Sequence, residues 1–152
     1  MASLDQRYDD NQRLIVPAMS GVYAALSPLS YALMRVLAGG LLAIHGFPKI
    51  LDPMARIGMV EGLGFYPGVF WAPLLAITEF FGGILIALGL LTRPAAFAGM
   101  IVLLVTVYFH WIVQGEGLMG AEKSILWAAI LFFFAVHGGG RWSVDAKFAK
   151  TL

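Results

Sequence analysis

One run of the sequence, FWAPLLAITEFFGGILIALGLL (Phe70 to Leu91), determines how the rest of the chain must be arranged. A helix rises about 1.5 Å per residue, so a helical run of this length can cross a hydrocarbon core of roughly 30 Å. Its only charged residue is Glu79, which then lies near the middle of the bilayer. A lone carboxylate at that depth is costly unless it is neutral or paired. The sequence therefore predicts that another polar group meets Glu79.

The composition of the whole chain is typical of a small polytopic membrane protein. Of its 152 residues, 60% are hydrophobic and 12% are charged, whereas soluble domains are about 45–50% apolar and about 25% charged. The formal net charge of +1 provides no basic surface for nucleic acid. The absence of cysteine excludes disulfides, thiolate metal sites, iron–sulfur clusters held by this chain, and thiol catalysis.

Apolar runs separated by turn residues predict four membrane-spanning helices. We place these helices at Pro28 to Phe47, Phe70 to Leu91, Ala95 to Val113, and about Glu122 to Val136. Asp52 followed by Pro53 is typical of a helix start, which predicts a short interfacial helix over Pro53 to Glu61. The predicted fold class is all-α, an integral membrane antiparallel four-helix bundle with a short interfacial helix between the first two spans.

The same pattern divides the chain into three parts. Residues 1–27 form an N-terminal arm that is partly interfacial, because the apolar stretch Leu14 to Leu26 is too short to span. Residues 28–140 form the transmembrane domain and residues 141–152 a polar tail. Lysine and arginine residues are more frequent on the side that holds both termini, which places both termini in the cytoplasm. The basic residues assigned to that side are Arg7, Arg13, Arg35, Arg93, Arg141, Lys147 and Lys150, against Lys49, Arg56 and Lys123 opposite.

Arg35 and Glu79 form the first candidate site. Arg35 enters its helix from the cytoplasmic face, and we estimate that it lies about one helical turn from the depth of Glu79, a distance that an arginine side chain can cover. One interpretation is a buried ion pair that fixes the helix register. The other is a protonatable Glu79 beside a quinone or on a proton path, with Arg35 as its counter-charge.

A second polar group is predicted near the outer membrane face and contains His45, Lys49, His110 and Glu122. It is either a hydrogen-bonded cap on the bundle or a quinone headgroup site, since a headgroup carbonyl needs a donor such as histidine or lysine. Two imidazoles at one depth could also ligate a b-type haem, and His45, His110 and Glu122 could hold a metal. Both histidines lie close to helix ends, so we expect neither haem nor metal.

The order and spacing of several short motifs resemble the DoxX family of small bacterial membrane proteins. These motifs are Arg35, HGFPK (His45 to Lys49), EFFGG (Glu79 to Gly83), LGLLTRPAA (Leu88 to Ala96), His110, Glu122 and GGGRWSVD (Gly138 to Asp145). They cover about residues 30–146, and one departure is Gly139, where many members are expected to have proline. The resemblance implies a four-helix membrane fold and an association with respiratory redox chemistry. One branch is linked to a thiosulfate:quinone oxidoreductase or quinol oxidase subunit, and another to membrane assemblies with superoxide dismutase and a sulfurtransferase.

Together, these observations predict an integral subunit of a quinone-linked redox complex, respiratory or concerned with sulfur or oxidative stress, in the bacterial inner membrane. Glu79 would be the protonatable group, and the second polar group would bind the quinone. Its partners would be other membrane or peripheral redox proteins, and the sequence is also compatible with a homo-oligomer. The alternative is a non-catalytic accessory or assembly protein in which the same residues only hold helices together. A transporter is a third class, which no pair of broken helices supports.

Overall fold

A computed structural model describes residues 16–148, and in that range the chain is entirely helical between its turns. Four of its helices are long and apolar enough to cross a membrane. In chain order the elements are a 3₁₀ turn Pro17–Met19, α1 Ser20–Leu51, a 3₁₀ turn Pro53–Arg56, α2 Ile57–Gly62, α3 Gly68–Leu88, α4 Thr92–Tyr108 with a π-helical extension Phe109–Val113, α5 Gly117–His137, and a 3₁₀ turn Asp145–Lys147. The predicted four-helix membrane fold is confirmed, and the short helix α2 lies between the first two spans as expected.

The first helix begins earlier than predicted. It contains 32 residues and continues through Pro28 and Pro48, because a proline within a membrane helix removes one backbone hydrogen bond without necessarily ending the helix. The part of the expected interfacial segment from Ser20 onward therefore belongs to α1. Leu14 and the rest of the arm up to residue 15 lie outside the described residues. The last helix also begins early, at Gly117 instead of Glu122.

The helices α1 and α3 run antiparallel and pack backbone against backbone. A Cβ atom on Gly46 would lie 2.5 Å from the backbone nitrogen of Phe80, and one on Gly83 would lie 2.5 Å from that of Ala43. Small residues allow such close approach between membrane helices, where apolar surface alone gives little driving force. Gly39 approaches α3 in the same way, since its Cβ would lie 2.6 Å from the Gly83 carbonyl oxygen. Gly40 has open space beside it.

The turn between α3 and α4 is set by Gly89, which has a φ of 72°. Its N–H donates to the Ile86 carbonyl at 3.0 Å, and the Leu90 N–H donates to the Leu85 carbonyl at 2.9 Å. This pairing satisfies the last carbonyls of α3 in a Schellman arrangement. It returns the chain into α4, which packs against α5 to complete the bundle. The buried core between the helices includes Leu42, Ile86, Leu103, Leu131 and Phe134.

The chain that follows α5 folds back over this end of the bundle. Tyr31 donates its hydroxyl to the Gly138 carbonyl at 2.7 Å. The Arg35 guanidinium donates to the carbonyls of Gly139 and Trp142, the latter at 2.8 Å. Trp142, in the segment that we assigned to a polar tail, is thus bound to α1. Residues 149–152 lie outside the described part of the chain.

Asp145, in this folded segment, caps the N-terminus of α4. Its carboxylate accepts hydrogen bonds from the backbone N–H groups of Leu91 (2.8 Å) and Thr92 (2.9 Å) and from the Thr92 hydroxyl (2.7 Å). Burial alone would raise the pKa of this carboxyl, but the Thr92 and Leu91 hydrogen bonds, together with the charge of Arg35, hold the pKa below its ordinary value. Asp145 therefore connects the C-terminal segment to α4 as an ionised group.

Candidate functional site: a cavity beside a buried ion pair

A cavity of about 510 Å³ lies between α3 and α4, where it is bounded at one end by α2 and the last turns of α1. This volume falls within the range of about 300–1,000 Å³ that is usual for small-molecule sites. Most of its wall is apolar. The polar residues that line it are His45, Lys49, Arg56, Thr78, Glu79, Thr106 and His110. The cavity therefore brings four of the six predicted site residues, Glu79, His45, Lys49 and His110, to one place.

Glu79 is buried and forms an ion pair with Lys49. Their side chains are 3% and 15% exposed, and the Lys49 Nζ donates to the Glu79 Oε2. The close packing of Gly46 against Glu79 and Phe80 sets this contact, since Lys49 lies three residues after Gly46 and on the same face of α1. The partner that the sequence required for Glu79 is therefore Lys49.

The expected pair between Arg35 and Glu79 is not formed. Arg35 and Lys49 share one face of α1, but they are separated by roughly 21 Å along the helix at 1.5 Å per residue. Arg35 lies level with Gly89 at the end of α3, because a Cβ atom on Gly89 would lie 2.6 Å from its Nη1. The estimated depth difference of one turn was wrong because it was counted from a span that begins at Pro28, whereas the part of α1 that packs against α3 begins near Arg35. Arg35 holds the C-terminal segment and does not line the cavity.

His110 lies on the π-helical extension of α4 and is held by Glu116. Its Nδ1 lies 2.7 Å from the Glu116 Oε2, and the Gln114 N–H donates to the Phe109 carbonyl at 2.8 Å, which is the hydrogen bond of a π turn. Because Nδ1 faces Glu116, Nε2 is the ring nitrogen that is left to bind another group. Such π turns are frequent at functional sites because they redirect side chains. Glu116 was missed in the sequence, although it closely follows His110 in a short Gly-rich turn.

His45 and Arg56 complete the polar end of the cavity. The His45 ring lies 6.3 Å, centroid to centroid, from that of Trp127 on α5, and neither His45 nor Arg56 forms a hydrogen bond or ion pair with another described residue. Both residues are exposed. They are therefore available to a ligand at the mouth of the cavity. Arg56 was not among the predicted site residues, although the sequence placed it on the same membrane side as Lys49.

Glu122 lies away from this site. The inward face of α5 carries Ala121, Ser124 and Ala128. Glu122 follows Ala121 by about 100° of helical rotation and is exposed. The structure therefore does not place Glu122 in the wall of the cavity, because Glu122 lies on the exposed side of α5.

The apolar end of the cavity reaches the outer surface of the bundle. Leu74 on α3, and Phe97 and Ile101 on α4, line the cavity and are 38%, 56% and 44% exposed. This surface faces lipid in a membrane-spanning bundle. An amphiphilic molecule can therefore enter from the bilayer between α3 and α4 and place its polar head at the Lys49–Glu79 pair.

Within residues 16–148, no group of three or more histidine, aspartate or glutamate side chains is arranged to hold a metal ion. His110 uses one ring nitrogen on Glu116, and Glu122 lies outside the cavity. The metal set that we considered, His45, His110 and Glu122, is therefore not brought together in this structure.

The comparisons with known proteins agree with this architecture. The family model for DoxX matches residues 30–111. The chain belongs to the DoxX family. An uncharacterized protein of Haemophilus influenzae is 30% identical to this DoxX protein over 133 residues, which cover 81% of this chain and 93% of the relative. An uncharacterized membrane protein of Mycobacterium tuberculosis is 28% identical over 147 residues, which cover 88% of this chain and 90% of that one. No solved structure matches the chain significantly.

Proposed function

We propose that this DoxX protein is the membrane subunit of a quinone-linked redox complex and that its cavity binds the quinone. The observation that carries the proposal is the combination of a buried Lys49–Glu79 pair with a cavity that is open to lipid at its apolar end. A quinone has the matching form, since it joins an apolar tail to a flat ring with two oxygen atoms. The resemblance to DoxX proteins linked with quinone chemistry supports the same conclusion.

The residues of the polar end then have distinct roles. Lys49 and His45 donate hydrogen bonds to a headgroup oxygen, as a carbonyl requires. Glu79 accepts a hydrogen bond, or a proton, from a hydroxyl of the reduced form, and Lys49 compensates its charge while it is ionised. His110 presents Nε2 to the cavity while Glu116 fixes its orientation. Arg35 has a positioning role at the other end of the bundle, and Glu122 has no part in the site. We still expect neither haem nor metal.

We further propose that the protein lies in the bacterial inner membrane with both termini in the cytoplasm. Arg93, Arg141 and Lys147 lie at or beyond helix ends, at the end of the bundle that carries the folded C-terminal segment. In the sequence, Arg7 and Arg13 precede the first span and add two more basic residues to this end. The positive-inside rule favours the cytoplasm for this end. The polar end of the cavity then lies toward the outer face. Membrane or peripheral redox proteins would supply and remove the electrons.

A second candidate function is a non-catalytic accessory or assembly protein. It is favoured by the position of the Lys49–Glu79 pair on α1 and α3, the two helices whose backbones approach most closely. A pair in that position can simply fix the register of the two helices. In this case the cavity would hold lipid, and the protein would act through contacts with other chains.

The quinone content of the purified protein tests the proposal. The protein and its variants Glu79→Gln, His45→Gln and Glu122→Gln would be purified in a mild detergent, and extracted quinone would be measured per mole of protein. We expect quinone in the parent protein, a loss of most of it in Glu79→Gln and His45→Gln, and full retention in the control Glu122→Gln, whose side chain is exposed outside the cavity. Thermal unfolding of each variant shows whether a loss reflects binding or folding.

The same experiment separates the two candidates. A parent protein that carries no quinone and binds none when it is added contradicts the quinone proposal. Other proteins that copurify in fixed ratio, without a bound small molecule, favour the accessory function. Equal losses in Glu122→Gln and Glu79→Gln would show that the cavity is not the binding site.

A further inference from the structure

The polar end of the cavity carries more positive than negative charge. Lys49 and Arg56 are two cations that line it, and Glu79 is the one carboxylate among its lining residues, which leaves a formal charge of +1 when the histidines are neutral. Lys49 is paired with Glu79. Arg56 has no ion-pair partner in the described part of the chain. The unpaired cation is therefore Arg56, at the mouth of the cavity.

Glu61 and Glu116 do not cancel this charge. Glu61, which precedes α3, accepts a hydrogen bond from the Gly68 N–H at 2.9 Å and does not line the cavity. Glu116 is engaged by His110, and its side chain is 46% exposed, so water and salt screen its charge. A negative group on a ligand beside Arg56 would gain an attraction that a neutral ligand would not.

We propose that the ligand of this cavity is a lipophilic anion and that Arg56 selects it. A planar guanidinium can donate two parallel hydrogen bonds to an oxyanion, whereas the ammonium of Lys49 lacks this planar geometry. The apolar tail of the ligand leaves between Leu74 and Ile101. In combination with the proposed function, on which this identification of the ligand rests, the ligand is a quinone in an ionised form, such as a hydroxyquinone whose hydroxyl group has lost its proton.

Equilibrium binding of matched probes tests this selection. The protein would be placed in nanodiscs of uncharged phospholipid, and calorimetry would measure the affinity for an alkylated hydroxynaphthoquinone, which is an anion at neutral pH, and for its neutral methyl ether. We expect the parent protein to prefer the anion by about tenfold, the order of one favourable charge pair. Arg56→Gln should abolish this preference by weakening anion binding alone. Arg56→Lys should retain part of it, and Arg141→Gln, which changes an exposed arginine outside the cavity, should retain all of it.

Equal affinity of the parent protein for the two probes, or a better affinity for the ether, would overturn the inference and leave quinone binding intact. If Arg56→Gln weakens the binding of both probes equally, the inference is also overturned, because Arg56 would then act by packing. A monoalkyl phosphate, an anion with no quinone ring, separates the two proposals. If it binds through Arg56 while neither naphthoquinone binds, the anion site stands and the quinone function fails. If none of the three probes binds, both proposals fail.

Discussion

Lys49 and Glu79 form an ion pair that connects α1 and α3 beside the cavity, with their side chains 15% and 3% exposed. The pair has two consequences. It compensates a carboxylate within a membrane-spanning helix, where a lone charge would be costly. It also places both charges at the wall of a cavity that opens to lipid, so that the same contact can serve the fold and a ligand.

The first prediction is an energetic coupling between these two residues. Lys49→Met leaves a buried carboxylate without its partner and should destabilise the protein by about 3 kcal/mol. Glu79→Gln should cost less, because Lys49 is the more exposed partner and can reorient toward water. The double variant should be more stable than the sum of the single losses predicts, by about 1–3 kcal/mol. Chemical unfolding in mixed micelles measures these differences.

Arg35 provides the control for this cycle. Since Arg35 lies at the opposite end of α1 and binds the Gly139 and Trp142 carbonyls, Arg35→Leu and Glu79→Gln should have additive effects within about 0.5 kcal/mol. A coupling as large as that of Lys49 would show that Arg35 and Glu79 interact and would contradict the helix register described above.

The second prediction concerns the contact of α1 with α3. Gly83→Ala places a Cβ atom 2.5 Å from the Ala43 backbone nitrogen. The two backbones must then separate, which should cost at least about 1–3 kcal/mol. Gly40→Ala is the matched control, because open space surrounds Gly40 on the same helix as Ala43, and we expect no loss of stability there. Thermal unfolding of both variants checks the contrast, and similar melting temperatures would refute the close approach.

The third prediction is a pH dependence from Asp145. The folded protein holds the pKa of this carboxyl below its ordinary value, so its stabilising effect is present above the pKa of the unfolded chain and is lost as the pH falls through the folded pKa. Asp145→Asn should therefore cost roughly 1 kcal/mol at neutral pH, and this cost should shrink as the solution is acidified. Melting temperature against pH measures it. The exposed Asp52→Asn serves as control, and a cost that grows in acid would contradict the capping role.

The fourth prediction is the topology. The chain contains no cysteine, so single cysteines can be introduced without background labelling. A cysteine in place of Arg141 should resist an impermeant thiol reagent in intact cells, and one in place of Gln114 should react. Both positions are exposed in the structure, and both should react after permeabilisation. Labelling of the Arg141 position alone in intact cells would reverse the orientation.

The sequence predicted the helices better than it predicted the contacts between them. The apolar runs are long enough to indicate four spans, and glycine and proline separate them clearly. Helix ends were less well defined, because Pro28 looks like a boundary and is instead inside α1. The helix also continues through Pro48, and the part that packs against α3 begins near Arg35, which explains why Arg35, and not Lys49, was expected beside Glu79.

The candidate site was also predicted only in part, because it depends on contacts between helices. His45, Lys49 and His110 were expected together because each lies near the same end of its helix, and the cavity does unite them with Glu79. Glu122 was included by depth alone, although its neighbours Ala121, Ser124 and Ala128 mark a different side of α5 as the inward face. Neither the register of α1 against α3 nor the way in which Asp145 caps α4 leaves a local sequence signal, because both join residues that are distant in the chain.

The most direct test of the quinone site is photo-cross-linking followed by identification of the labelled residues. A quinone analogue with a photoreactive group on its tail would be bound to the membrane-embedded protein and activated by light. We predict labelling of Leu74, Phe97 or Ile101 on the cavity wall, competition by excess unmodified quinone, and loss of labelling in Glu79→Gln. Labelling confined to the outer face of α5, for example at Leu126 or Phe132, with no effect of Glu79→Gln, would contradict a quinone site in this cavity.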